Sequence, residues 1–265
     1  MASYCIDRRT LLGATLGMAA IITGAREGRA ASGEHPMASA KIRNVVLVHG
    51  AFTDGNVWSH VIAGLQSREF KVSAVQLPLS SLEEDVAATR RTLERQDGPA
   101  ILVGHSWGGA VITEAGMASN VKALVYVSAL APDVGEAVID VQKHGPQSPG
   151  MSGARPDNHG FVWFDPDAYR SALASDVDRA RVGILAATQK PIAGASFAQP
   201  LKAAAWHDRP SWYLLSTSDQ ALSPELQRFM AQRMGARTTE VSSSHMSPLS
   251  HADAVMAMIE AAASV

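Results

Sequence analysis

Three side chains of the kinds used in nucleophilic catalysis occur in the order Ser106, Asp219 and His245 along this chain. The serine lies in the pentapeptide Gly-His-Ser-Trp-Gly, which fits the pattern Gly-x-Ser-x-Gly. Glycines on both sides suit a serine on a strained turn between a strand and a helix, where side chains would clash. An unactivated serine hydroxyl is a weak nucleophile, so it needs a base and an acid that orients the base. The order and types of these residues predict a Ser-His-Asp triad.

The acid and the base should each follow a strand, because ligands of open α/β sheets bind at the carboxyl ends of the strands. Asp219 follows the apolar stretch 212–216, and His245 follows the shorter stretch 238–241. Other candidates fit less well. We expect a surface role for His251, structural roles for His49 and His105, and a helix-end role for Asp253, whereas His207 and Asp208 precede their strand.

A tetrahedral intermediate needs backbone N–H donors for its oxygen. One donor should be the N–H of Trp107, directly after the serine. The other should come from the His-Gly-Ala-Phe turn that ends the first apolar run, either from Ala51 or from Phe52.

The elements that must position these groups alternate between strand and helix. Strands are expected near 45–48, 72–75, 100–103 and 121–127, with helices between them, one of which begins with the capping-box sequence Ser-Leu-Glu-Glu at Ser81. This alternation predicts a parallel α/β sheet. Between 131 and 208 the pattern lapses: at least one helix is expected, near 166–188, and no strand stands out. We therefore predict a core of residues 41–130 and 209–265, interrupted by a mainly helical lid at 131–208.

Four segments carry a family resemblance. They are Val-Leu-Val-His-Gly-Ala, Gly-His-Ser-Trp-Gly-Gly-Ala-Val-Ile, Ser-Asp-Gln-Ala-Leu-Ser-Pro and Ser-His-Met. Together they resemble the plant methylesterase and hydroxynitrile lyase branch of the α/β hydrolases, and more closely its bacterial, often exported, esterase-like relatives. The resemblance covers about residues 43–265. It implies an α/β-hydrolase fold with a mostly parallel central sheet flanked by helices, the triad above, and Ala51 and Trp107 as the oxyanion hole.

Two positions depart from the lyases, in which a lysine follows the catalytic histidine and a threonine occupies the place of Gly50. Here the histidine is followed by Met246. Both departures favour a carboxylic ester hydrolase. A lyase-like or perhydrolase activity on the same scaffold, or a non-catalytic ligand-binding member, remain the alternatives.

Aromatic residues are expected to line the substrate pocket, as is usual for small-molecule sites. The predicted pocket residues are Phe52, Trp107, Trp163, Phe164, Tyr169 and Met246. They favour a small to medium ester with an apolar or aromatic part.

Composition limits the partners. The formal charge is −2 and no run of basic residues occurs, so a nucleic-acid partner is not expected. No cluster has metal-ligand spacing and no glycine-rich phosphate loop is present, so neither a metal nor a cofactor is expected. The sequence leaves the oligomeric state open.

The first 31 residues have the features of an export signal. Arg8-Arg9 precede an apolar run of about a dozen residues, and small residues follow near Ala30. The run is too short to span a bilayer, which takes about 20 residues. The arginine pair resembles a twin-arginine signal. These features predict cleavage near Ala31, a periplasmic or secreted mature protein and no stable membrane anchor.

Overall fold

The computed structural model describes residues 41–265. The export signal expected at 1–31 lies outside these residues. The described residues form one compact unit. In the described part, no helix is both long and apolar enough to cross a membrane.

Strands and helices alternate through most of the chain. The first half contains β1 (Asn44–Val48), α1 (Ser59–Gln66), β2 (Lys71–Val75), α2 (Leu82–Glu94), β3 (Ala100–His105), α3 (Trp107–Ala115) and β4 (Val121–Val127). The middle contains α4 (Val138–Val141), β5 (Ala154–Pro156), β6 (Phe161–Phe164), α5 (Pro166–Leu173), α6 (Arg179–Thr188) and β7 (Ile192–Ala193). The last part contains β8 (Ser211–Ser216), α7 (Pro224–Arg233), β9 (Arg237–Val241), α8 (Ser247–Ser250) and α9 (Ala252–Ala262).

The central sheet has six strands in the order β2-β1-β3-β4-β8-β9. All of its pairings are parallel. The continuous apolar runs of β1 and β3 are buried along their whole length, as expected for inner strands covered by helices on both faces. The fold is therefore the α/β-hydrolase fold that the sequence predicts.

Local signals account for the helix that begins at Leu82. The Ser81 side chain accepts a hydrogen bond from the Glu84 N–H, and three acidic residues occupy the first turn, where the helix dipole favours negative charge. The helix ends at Glu94.

The segment 131–208 contains more regular structure than the sequence indicates. It contains three short strands, which form an antiparallel sheet in the order β5-β6-β7. The helical stretch expected near 166–188 consists of two helices, because the chain leaves the helical conformation at Ala174 and Asp178 caps a new helix with its side chain. Strands of two to four residues are too short to show an alternating pattern, which explains why the sequence did not indicate them.

Candidate active site

Ser106 lies on the sharp turn between β3 and α3. Its backbone has φ 54° and ψ −121°, a strained conformation for a residue with a side chain. A Cβ added to Gly104 would lie 2.5 Å from the carbonyl oxygen of Gly108, and one added to Gly108 would lie 2.5 Å from that of Val48. Both glycines of the motif are thus required by close backbone approach, and the tight turn leaves Ser106 partly exposed at the sheet edge.

Asp219 and His245 meet in the loops that follow β8 and β9. His245 Nδ1 lies 2.7 Å from Asp219 Oδ2, and both residues are buried. The carboxylate accepts a hydrogen bond from the Nδ1–H group, and in that tautomer Nε2 is left as a proton acceptor. Ser106 and His245 line one cavity. The structure therefore brings all three residues of the predicted triad to the same edge of the sheet.

Asp219 is held by donors that the sequence pattern does not indicate. Its Oδ1 accepts hydrogen bonds from the N–H groups of Ala221, at 2.8 Å, and Leu222, at 2.9 Å. The amide nitrogen of Gln227 donates to Oδ2 at 2.9 Å, while the Gln227 oxygen accepts from the Ser216 N–H at 3.1 Å. This buried glutamine fixes the carboxylate relative to β8. The only sequence signal for it is a polar residue on the buried face of α7.

The loop that carries His245 is tied to residues 173–176. The Asp176 carboxylate accepts from the Ser244 N–H at 3.0 Å, and Leu173 O accepts from the Met246 N–H at 3.1 Å. Asp176, which no sequence motif singled out, thus helps to set the position of the histidine backbone.

The other histidines near the site have structural positions, as expected. His49 is buried; its Nδ1 lies 2.8 Å from Gly50 O and its Nε2 accepts from the Leu77 N–H at 3.0 Å. His105 Nε2 lies 2.8 Å from the carbonyl oxygen of His245, to which it donates. Burial lowers the pKa of His49 to about 4 and holds the pKa of His105 well below its ordinary value. Both rings are therefore neutral at neutral pH.

The candidate oxyanion donors converge on Ser106. Trp107 begins α3, so its N–H is one of the free donors at a helix N-terminus. Gly50 approaches so closely that an added Cβ would lie 2.7 Å from Ser106 Cβ. Ala51 and Phe52 follow directly and line the same cavity. Phe52 has φ 59°, and its carbonyl accepts from the Tyr169 hydroxyl at 2.9 Å, which holds this turn in place.

A buried carboxylate holds the indole of Trp107. Trp107 Nε1 donates to Asp85 Oδ2 at 2.8 Å, and the Leu79 N–H donates to Asp85 Oδ1 at 2.7 Å. Burial raises the pKa of Asp85 to about 6, so the carboxyl group is ionised at neutral pH. The Phe197 ring packs edge-on against the indole, 5.3 Å between centroids. No sequence pattern connected Asp85 with Trp107.

The cavity beside Ser106 is small and mostly apolar, with a volume of about 40 Å³. Of the predicted pocket residues, Phe52 and Trp107 line it. The other lining residues besides Ser106 and His245 are Ala51, Leu130, Gln142, Met151, Leu173, Phe197, Ala221 and Leu222.

The structure does not bring the remaining predicted pocket residues into the cavity wall. Trp163 is 42% exposed and bonds to Asp157. Phe164 is buried behind Phe52, with ring centroids 5.3 Å apart. Tyr169 and Met246 are likewise buried in the core that supports the cavity. The sequence pattern of these residues could not distinguish a side chain that lines the cavity from one that packs behind the lining.

Comparison with known proteins identifies the family of the chain. Residues 45–258 match the model of the alpha/beta hydrolase family, and the chain belongs to that family. A probable hydrolase, R7, of Phoma sp. is 28% identical over 203 residues, which are 69% of this chain and 80% of that protein.

Solved structures share the fold. A pyrethroid hydrolase from Sphingobium faniae superposes with a TM-score of 0.71 at 20% identity, over 83% of this chain and 96% of that one. Polyneuridine aldehyde esterase superposes with a TM-score of 0.70 at 18% identity, over 81% and 96% of the two chains.

Proposed function

We propose that this protein is a serine hydrolase that cleaves small to medium carboxylic esters with apolar or aromatic parts through an acyl-enzyme. The observation that carries the proposal is the buried His245–Asp219 pair, 2.7 Å apart, beside a cavity that Ser106 also lines. The esterase among its structural neighbours is consistent with this reaction class.

In the first half of the reaction, Ser106 Oγ attacks the ester carbonyl carbon while His245 Nε2 takes the hydroxyl proton. The carbonyl oxygen becomes an oxyanion, which accepts hydrogen bonds from the Trp107 N–H and from Ala51 or Phe52. The intermediate collapses when the C–O bond to the alcohol breaks, and His245 returns its proton to the leaving oxygen. In the second half, His245 deprotonates a water molecule that attacks the acyl-enzyme, and Ser106 regains its proton.

Cyanohydrin cleavage would require a cation beside the histidine to stabilise departing cyanide. The neighbouring position is Met246, which is fully buried and uncharged. Hydrolysis needs no such cation, so this residue favours ester cleavage over lyase chemistry.

The test is labelling and turnover of the mature protein. We expect a fluorophosphonate to label the wild type at Ser106, and Ser106→Ala to lose labelling together with at least about a thousandfold of ester hydrolysis, because residues of a triad act as a unit. The exposed Ser67→Ala should keep both properties. Full esterase activity in Ser106→Ala would refute the proposal, as would mandelonitrile cleavage by a wild type that is inactive on an ester panel.

A further inference from the structure

A second concavity, which we call the outer groove, lies next to the catalytic cavity. It is lined by Ile139, Lys143, Pro146, Gln147 and Leu226, among others, and has a volume of about 370 Å³. The catalytic cavity, at about 40 Å³, has room for about three water molecules, whereas an apolar cavity that holds benzene measures about 150 Å³. The catalytic cavity alone therefore suits only a short group.

The two spaces share one wall. Gln142, Met151, Ala221 and Leu222 line both the catalytic cavity and the outer groove. Methionine and glutamine are unbranched at Cβ and have three side-chain torsions, so this wall can yield by rotamer changes without movement of the backbone.

The backbone around the wall is firmly held. The Gly150 N–H donates to Gln220 O at 2.8 Å, and the Ser223 N–H donates to Ser148 Oγ at 2.9 Å. A Cβ added to Gly145 would lie 2.6 Å from Leu226 Cβ. The groove is thus a fixed concavity beside an adaptable wall, and not a gap between loosely packed loops.

The lining of the outer groove is more apolar than polar, with Gln142, Gln147 and Ser148 as its uncharged polar side chains. Ile139, Pro146, Met151, Leu222 and Leu226 supply aliphatic surface, and none of the lining residues is acidic. The one charged residue, Lys143, is paired with Asp140 at 2.8 Å at the exposed rim. Ile139 is 44% exposed and contributes apolar surface to the groove.

We propose that the outer groove is a second substrate subsite, which binds the longer apolar arm of an ester whose short arm occupies the catalytic cavity. This subsite rests on the proposed ester hydrolysis and deepens it. The substrate class is then an unsymmetrical ester, with one short arm and one arm of about six carbons or an aromatic ring.

The test compares ethyl acetate with two isomers of equal apolar size, hexyl acetate and ethyl hexanoate. We expect the wild type to prefer at least one isomer over ethyl acetate by about tenfold or more in kcat/KM. The preferred isomer identifies the arm: hexyl acetate for the alcohol and ethyl hexanoate for the acyl group. Ile139→Trp, which fills the groove outside the catalytic cavity, should reduce that preference, measured relative to ethyl acetate, at least fivefold and mainly through KM.

The matched control is Ile184→Trp, at another exposed isoleucine (53% exposed), which should keep the preference. Gln147→Trp, at a second position in the groove, should act like Ile139→Trp. The subsite is refuted if the wild type shows no preference for either isomer, or if both groove variants keep it. Ethyl acetate turnover and fluorophosphonate labelling of Ser106 report separately on the proposed function, so the two failures are distinguishable.

Discussion

Gly50 shows how a single hydrogen atom in place of a side chain shapes this site. Its backbone packs directly against the turn that carries Ser106, so that an added Cβ would lie 2.7 Å from Ser106 Cβ and 3.2 Å from Ser106 Oγ. Non-bonded carbon atoms pack at about 3.5–4.0 Å, so a separation below about 3 Å is a steric clash. A β-carbon at this position must therefore displace either the serine or the turn that carries Ala51.

Gly50→Ala should lower kcat/KM for ester hydrolysis by about tenfold to a hundredfold, because small misplacements of reacting groups are costly. The rate of fluorophosphonate labelling should fall in parallel. Gly183→Ala is the matched control: its Cβ would meet nothing within 4 Å, so activity should not change and the helix should gain slightly in stability. Unchanged activity in Gly50→Ala would show that the serine does not depend on this contact.

At the scale of elements, α2 and α3 are joined through the contact of Asp85 with Trp107. Both neighbours of the carboxylate, the indole N–H and the Leu79 N–H, are donors. An ionised carboxylate accepts from both, whereas an asparagine offers one oxygen and turns its NH₂ group toward the other donor. The contact matters for chemistry because Trp107 lines the cavity and its backbone N–H is a candidate oxyanion donor.

Asp85→Asn should therefore destabilise the protein by about 1–3 kcal/mol, the usual effect of one unsatisfied buried polar group. We also expect kcat to fall more than KM rises, since a displaced oxyanion donor weakens the transition state more than substrate binding. Glu83→Gln, at an exposed position of the same helix, serves as the control for loss of one negative charge on α2. Thermal melts and steady-state kinetics measure the two effects. A variant that is less stable but kinetically normal would restrict Asp85 to a structural role.

At the scale of the whole molecule, buried histidines link stability to pH. In the unfolded chain the pKa of His49 is about 6.5, whereas burial lowers it to about 4 in the folded protein. Between these values the unfolded state binds more protons, so folding stability decreases as the pH falls. His105 acts in the same direction, since burial also lowers its pKa. Asp85 opposes them, because its pKa is raised and its protonation at low pH favours the folded state.

The expected contribution of His49 is on the order of 3 kcal/mol, lost as the pH falls from about 6.5 to about 4. The unfolding free energies of the wild type and His49→Asn, measured by urea unfolding at several pH values, should converge as the solution is acidified. Only the wild type has the buried His49, whose protonation favours the unfolded state. Replacement of the exposed His159 by asparagine is the control for the His-to-Asn change itself. A constant difference between wild type and His49→Asn at all pH values would contradict the assignment.

Residue spacing suffices to predict the sheet and the order of the chemical groups along it. Continuous apolar runs such as 45–48 and 100–103, bounded by turn residues, indicate inner strands, and the glycines around Ser106 indicate a tight turn. Because the carboxyl ends of parallel strands share one edge, residues that follow β3, β8 and β9 must lie near one another. These are local or topological constraints, which a single sequence contains.

Tertiary structure alone decided which side chains support the site and which line it. Gln227 and Asp176 act on Asp219 and on the His245 loop from segments whose own sequences give no indication of it. The small antiparallel sheet depends on strand pairing that overrides weak local preferences. The cavity wall was likewise undetermined, because an aromatic residue that lines a pocket and one that packs behind it satisfy the same hydrophobic pattern. Phe52 and Phe164 pack against each other, but only Phe52 lines the cavity. Their positions relative to the cavity depend on tertiary packing.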